Sequence, residues 1–478
     1  MITAPMPGLV RVRRPARRMV AWGWTPILAV AAILRLAGIN AKPGWQWDEV
    51  VYAEVASNLL RHGVPYEHIV LGQSFAPDAY QPAAYFWVLA GWFRVAGDGI
   101  AQARVLGALC SLAALFLISL AVYRIYGRRA AMIAATAMAV DGWLVFVQRI
   151  GYIENFLLLL IAAFVACYER RRIVLAAAFA GAAFAVKYTG IIAPATYLAV
   201  WLITGRDHKR HLAGLAAMVA SFATVTGITV ATDGWGVWQQ ASTVQIKRVL
   251  GIQSSGGTLT SPTAALHLMA VQYWVFLPSL VVAIVGTVVL VRLVWRCYRA
   301  RSFAPAQADA LFAGWGAVGV LIMAASSLRF PQYFALTLVP LYVLAWSRVA
   351  RLASPVKAAA LTGAVLLASL TSVALRVALP DDNVLASVRQ YAAVSIPRGA
   401  VVVADEQVGD EIIQPYCREQ DADPCLGKAA YVVTWDTYLQ QTQALGDAAF
   451  ARIFGQPRTA VASWEGWNGD ITVWKLGS

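Results

Sequence analysis

Long apolar runs constrain this chain more than any other feature. A helix needs about 20 mainly apolar residues to cross a bilayer, and the hydrocarbon interior tolerates no unsatisfied backbone. Such runs occupy Trp22 to Ile39, Arg104 to Tyr123, Ala130 to Gln148, Ile153 to Tyr168, Ile173 to Lys187, Ile191 to Thr204, Leu212 to Ala231, Leu266 to Val291, Ala310 to Ser326, Tyr333 to Trp346 and Ala358 to Leu379. The sequence therefore predicts an all-α polytopic membrane protein with about eleven transmembrane helices. Only 13% of the 478 residues are charged, against roughly 25% in soluble domains. A mean hydropathy of +0.61 leaves more apolar surface than a chain can hide in water. The net charge of +14 would suggest nucleic acid in a soluble protein. Here the basic residues gather beside apolar runs, so no nucleic-acid partner is expected.

Lys and Arg favour the cytoplasmic ends of spans. The basic clusters Arg11 to Arg18, Arg124 to Arg129, Arg170 to Arg172, Arg206 to Arg210, Arg292 to Arg301 and Arg348 to Lys357 fall on alternate loops. One orientation, with the N-terminus inside, satisfies them all. It requires that Gln81 to Val95 (QPAAYFWVLAGWFRV) lie on the outer surface as a short amphipathic helix and not span; an extra span there is the alternative. The Arg-rich start resembles a signal peptide but lacks a convincing small-residue cleavage site, so the first run reads as an uncleaved span.

The predicted organisation is a cytoplasmic basic N-terminus over 1–21, a transmembrane domain over 22–379 and an extracytoplasmic α/β domain over 380–478. The transmembrane part carries two large outer loops, 40–103 and 232–265, the second a candidate lid around QSSGGTLTSP. In the C-terminal part the apolar runs shorten to strand length (AVVVADE, AYVVTW, DITVWKL) and alternate with the helical pattern NVLASVRQYAAV. Cys417 and Cys425 share a polar segment there, and in an oxidising compartment they either pair or stay free thiols. Short loops and Ala/Arg-rich usage suggest a bacterial plasma membrane.

Charge at the membrane is costly and marks function. Setting the cytoplasmic clusters aside, both signs collect at the outer ends of spans: Asp48, Glu49, Arg104, Arg149, Glu154, Lys187, Lys247, Arg248 and Arg329. Each also has a plainer reading. Asp48 and Glu49 suit the first turn of a helix through its dipole, although Trp45 and Trp47 beside them favour headgroup depth. In these plainer readings Glu154 pairs with Arg149, Lys187 snorkels, Arg329 anchors at the interface, and Lys247 with Arg248 forms a solvated patch. Asp141 lies inside an apolar run with no evident partner.

In that order these segments resemble the GT-C membrane glycosyltransferases, in particular the protein O-mannosyltransferase and lipid A aminoarabinose transferase group. Asp48-Glu49 after the first span is similar to the group's acidic motif, and QPAAYFWVLAGWFRVAGDGIAQAR to its surface helix leading to Arg104. QRIGYIEN resembles its Arg-then-acid motif, with Glu154 where the group more often has Asp. GAAFAVKYTG resembles its Lys-ended span. LRFPQYFALTLVP resembles its late Arg-aromatic motif, without the frequent His. The resemblance covers roughly Trp22 to Ser347.

The resemblance implies a GT-C fold and an inverting transferase that moves a sugar from a polyprenyl-phosphate donor to a hydroxyl on the outer face. Asp48 is the expected general base, with Glu49 orienting it or the acceptor. Lys187, Arg248, Arg104 and Arg329 are the expected cations for the leaving phosphate, with Glu154, Arg149 and Tyr188 supporting. The expected partners are the lipid-linked donor, a lipid, polysaccharide or protein acceptor, and membrane lipids. Too few acids cluster to indicate a divalent metal, so no cofactor is expected. A transporter, which would place charges near the midplane on broken helices, and a non-catalytic scaffold are the alternatives.

Overall fold

The computed structural model describes residues 17–40, 43, 47–63, 65–67, 76–77, 81–205, 207–249, 274–325, 331–378, 384–404, 417–418, 428–437, 457–465 and 469–477. Helices predominate. The first is α1 (Arg17–Leu36); α2 (Trp47–His62) and α3 (Ala84–Ala96) follow before α4 (Ile100–Tyr126). Then come α5 (Arg128–Val140), α6 (Gly142–Gln148), α7 (Ile153–Glu169), α8 (Ile173–Val186), α9 (Ile192–Thr204), α10 (His208–Asp233) and α11 (Trp235–Val249). The set continues with α12 (Leu277–Ala300), α13 (Ala310–Ala325), α14 (Pro331–Val349), α15 (Pro355–Ala378) and α16 (Val384–Ser395).

Among the described residues four helices are long and apolar enough to cross a membrane: Ile100–Tyr126, His208–Asp233, Trp274–Ala300 and Pro355–Ala378. The bent pair α5/α6 makes a fifth if it counts as one span. Small residues set the packing, as expected where helices associate without a hydrophobic driving force. A methyl group added at Gly181 would collide with the Met218 carbonyl, so α8 and α10 touch backbone to backbone. Gly286 admits the Leu341 carbonyl in the same way, bringing α12 against α14.

The run Ala130 to Gln148, expected as one helix, is broken at Asp141 and bends by 60°. Two buried charges satisfy the break. Asp141 Oδ1 accepts the Leu144 N–H at 2.8 Å and caps α6, while Oδ2 accepts from Ser279 Oγ at 2.6 Å and from the Tyr342 hydroxyl. Arg35, at the end of α1, donates to the carbonyls of Ala139 (2.8 Å) and Met138 (3.2 Å) in the last turn of α5, and to Gln148 Oε1 (2.7 Å). Asp141 thus has the partners that the sequence did not reveal.

Contacts join three of the basic loops. Arg124 pairs with Glu169 at 2.8 Å, joining the ends of α4 and α7. The Arg351 guanidinium lies over the Tyr126 ring at 5.5 Å, and Arg348 pairs with Asp309 at 2.6 Å. The C-terminal segment forms a five-stranded sheet of order β4-β3-β5-β7-β6, from β3 (Val401–Ala404), β4 (Cys417–Arg418), β5 (Ala429–Thr437), β6 (Arg458–Trp464) and β7 (Gly469–Leu476); β1 and β2 are the two-residue strands Tyr66–Glu67 and Ala76–Pro77. β3 runs parallel to β4 and β5, and β7 antiparallel to β5 and β6. Val388 and Ala392 of α16, with Ile396 just after it, share a core with Val402, Tyr431, Val433, Ile471 and Val473. Cys425 and the Cys417 side chain lie outside the described residues.

Candidate active site

Glu49 and Arg104 form the frame. Both side chains are fully buried. The guanidinium grips the carboxylate through two bonds, Nε to Oε2 at 2.8 Å and a terminal nitrogen to Oε1 at 2.5 Å. Such a fork is both strong and directional. Arg104 also donates to the carbonyls of Ile39 (2.7 Å) and Pro43 (2.8 Å), and Glu49 Oε2 accepts the Gly151 N–H at 2.9 Å. One ion pair therefore fixes the first turn of α2, the start of α4, the chain leaving α1 and the α6–α7 connection.

Asp48, the neighbour of Glu49, stays partly exposed. Its Oδ2 accepts from Gln332 Nε2 at 3.3 Å, across from the first turn of α14. One turn further along α2, the Tyr52 hydroxyl lies 3.4 Å from the Lys187 ammonium. Lys187 ends α8; its Nζ pairs with Glu154 Oε1 at 2.7 Å and stands 5.3 Å from the centre of the Tyr333 ring. α2 therefore carries Asp48 and Tyr52, and α14 carries Gln332 and Tyr333. The two helices bring the acid and the lysine within electrostatic reach of each other. Glu154 Oε2 is buried and has no hydrogen-bond partner among the described residues. Tyr85 and Phe86 pack against Tyr52, and Phe156 backs Tyr85 from behind.

A half-exposed carboxylate beside a buried ammonium is suited to one kind of chemistry. The acid can accept a proton from an incoming hydroxyl, and the cation can stabilise negative charge leaving the other side. Among the described residues no group of three or more His, Cys, Asp or Glu is placed to hold a metal ion.

The architecture matches that of ArnT from Cupriavidus metallidurans, solved bound to undecaprenyl phosphate, with a TM-score of 0.61 over 95% of this chain and 98% of that one at 16% identity. The chain has a GT-C fold. A second GT-C relative in structure is the Archaeoglobus fulgidus oligosaccharyltransferase tethered to an acceptor peptide, with a TM-score of 0.56 over 88% of this chain and 69% of that one at 12% identity. The family model described as dolichyl-phosphate-mannose-protein mannosyltransferase matches residues 80–231. That segment of the GT-C core holds Arg104, Arg149, Glu154, Lys187 and Tyr188, but neither Asp48 nor Gln332. No curated protein matches the chain by sequence.

The GT-C scaffold brings some of the expected site residues together and disperses others. Asp48, Glu49, Arg104, Glu154 and Lys187 converge. Glu154 pairs with Lys187, and not with Arg149 as its plainer reading had it. Arg149 instead donates to the carbonyls of Leu34 (2.7 Å), Ala37 (2.8 Å) and Gly38 (2.8 Å), capping the C-terminal end of α1. Tyr188 shares a 2.7 Å hydrogen bond with Ser242 and so ties the turn after Lys187 to α11. The Arg248 side chain and all of Arg329 lie outside the described residues. Tyr52, Gln332 and Tyr333 were not expected. Tyr52 sits four residues after Asp48 on one helix face, and Gln332 and Tyr333 lie inside the LRFPQYF motif, so their positions were marked although their parts were not.

Proposed function

We propose that this chain is an inverting glycosyltransferase that passes a sugar from a polyprenyl-phosphate donor to an acceptor hydroxyl on the extracytoplasmic face of a plasma membrane. The observation that carries the reading is the buried Lys187 ammonium set over the Tyr52 and Tyr333 rings, with Asp48 one turn before Tyr52 on α2 and bonded to Gln332, the neighbour of Tyr333. In the proposed topology about eleven segments cross the bilayer, with the basic loops and the N-terminus in the cytoplasm and the site and the C-terminal α/β domain outside.

In the proposed reaction the acceptor hydroxyl approaches Asp48 and gives its proton to the carboxylate as its oxygen attacks the anomeric carbon. The bond from that carbon to the phosphate oxygen breaks from the opposite side, which inverts the centre. The electron pair leaves with the lipid phosphate, beside Lys187. An ammonium has three N–H donors; one serves Glu154 and one points toward Tyr52, so a third remains for the phosphate. A preorganised donor of this kind lowers a barrier by roughly 3 kcal/mol. Arg248 and Arg329 are proposed to add positive charge. Arg104 and Glu49 act as a positioning pair, because their bonds are directed at each other and at backbone. The lipid tail of the donor stays in the membrane while its phosphate meets the ends of α8 and α14. The ArnT structure with undecaprenyl phosphate supports this class of donor, because that protein shares the fold along almost its whole length.

The test is transfer of radiolabelled sugar from a panel of polyprenyl-phosphate sugars to membrane extracts, with purified wild type and Asp48→Asn in parallel. Transfer by the wild type alone, with donor binding kept by the variant, supports the reading and names the sugar. Equal transfer by both proteins removes Asp48 from the chemistry. No transfer from any donor returns the transporter and scaffold readings.

A further inference from the structure

The last three turns of α12 carry a cationic surface that the proposed transfer reaction does not use. At 3.6 residues per turn, Val281, Val285, Val288, Arg292, Arg296 and Arg299 fall in one stripe along this helix. All six are exposed. The stripe changes character once, from three valines to three arginines. Val281 to Val291 spans about 15 Å at 1.5 Å per residue, and half of a hydrocarbon core roughly 30 Å thick is the same depth. The arginines therefore begin one leaflet's depth along the helix from Val281.

Two further observations point to headgroup depth and to an anionic ligand. Trp295 and Tyr298, 52% and 72% exposed, flank the arginine stripe with their rings stacked at 5.6 Å, and exposed Trp and Tyr mark membrane interfaces. The Arg299 guanidinium lies 5.0 Å over the Trp295 ring. Among the described residues none of the three arginines forms an ion pair with a carboxylate; the nearby Asp309 pairs with Arg348. Three cations within about 11 Å and no protein counterion form a surface whose complement is an anion with acyl chains.

We propose that this face of α12 binds an anionic glycerophospholipid, its acyl chains along Val281, Val285 and Val288 and its phosphate at Arg292, Arg296 and Arg299. A zwitterionic phospholipid also carries a phosphate, but its ammonium group meets three guanidinium groups at the same depth and weakens the contact. Each basic residue at an anionic membrane surface contributes about 1 kcal/mol, which is roughly fivefold in affinity per arginine by the standard conversion.

The experiment is native mass spectrometry of the full chain released from nanodiscs holding equal amounts of phosphatidylglycerol and phosphatidylcholine. The wild type is expected to retain phosphatidylglycerol at least tenfold over phosphatidylcholine. The triple variant R292Q/R296Q/R299Q is expected to lose that preference while the control R170Q/R171Q/R172Q, in another basic loop, keeps it. Should the triple variant fail to fold, R296Q alone is expected to lower the preference about fivefold, and an unchanged preference in R296Q overturns the proposal. Equal retention of both lipids by the wild type, equal loss in the control, or displacement of the bound lipid by polyprenyl phosphate at matched concentration each overturns it as well.

Discussion

The Lys187 ammonium lies 2.7 Å from Glu154 Oε1 where α8 ends, and both side chains are more than nine-tenths buried. Neither charge has bulk water to fall back on, so removing one partner strands the other. A buried pair broken in this way costs about 3–5 kcal/mol, whereas replacing both partners by neutral groups of similar volume is often close to neutral. Glu154→Ala and Lys187→Met are each expected to lower the thermal midpoint of the detergent-solubilised protein sharply. The double variant should lie above either single. A double variant that loses the sum of the two single losses would show that the pair contributes no coupling.

Arg104 makes its contacts to Glu49, Ile39 and Pro43 through a planar fork that lysine cannot imitate. Arg104→Lys keeps the charge and loses the second bond to Glu49 together with a carbonyl contact. The expected result is a stability loss of a few kcal/mol, by the cost of leaving buried acceptors unpaired, and a fall in transfer rate because α2 no longer holds Asp48 in place. Glu49→Gln should act in the same direction. Circular dichroism melts with transfer rates measured well below the midpoint separate the two effects; unchanged melts and rates in Arg104→Lys contradict the framing role.

The charged members of this site were legible in the sequence because a charge at membrane depth needs a reason to be there. Asp48, Glu49, Arg104, Glu154 and Lys187 stood out on that ground, and long apolar runs marked most of the helices of the bundle. What was hidden depended on neutral residues and on distant pairing. Gln332 and Tyr333 carry no charge signal, and their parts follow only from α14 meeting α2, far apart in the chain. The break at Asp141 was invisible because apolar residues continue on both sides of it. α11 was read as loop because WGVWQQASTVQIKRV is polar and carries no long apolar run. β6 (RTAVASW) was passed over because it has little apolar alternation, and most of its residues are in fact exposed.

Asp141 gives a prediction about the scaffold. Its carboxylate receives the Leu144 N–H and the hydroxyls of Ser279 and Tyr342, and so joins the α5/α6 break to α12 and α14. Asp141→Ala leaves three buried donors without an acceptor, at about 1–3 kcal/mol each. The variant is expected to be strongly destabilised, with Asp141→Asn intermediate because one oxygen remains. Thermal unfolding of both variants checks the order; an Asp141→Ala melt equal to wild type shows that the break holds by packing alone.

Gln332 offers the finest test of the proposed base. Its amide donates to Asp48 Oδ2 at 3.3 Å from the opposite helix, a hydrogen bond to a charged acceptor worth about 1.5–3 kcal/mol. If Asp48 accepts the acceptor proton, losing that bond loosens the orientation of the carboxylate, and the cost appears in the chemical step. Gln332→Ala is expected to reduce kcat by roughly ten- to a hundredfold, by the same energy, with donor affinity unchanged because Lys187 and Glu154 are untouched. Gln332→Glu should act more strongly, since a second carboxylate beside Asp48 repels its charge and raises its affinity for a proton. The rate of Gln332→Glu is then expected to recover as pH rises, as the shared proton is lost and Asp48 again becomes a base. A rate in Gln332→Glu that is flat with pH, or a loss of donor binding in Gln332→Ala, would move α14 from the acceptor side of the site to the phosphate side.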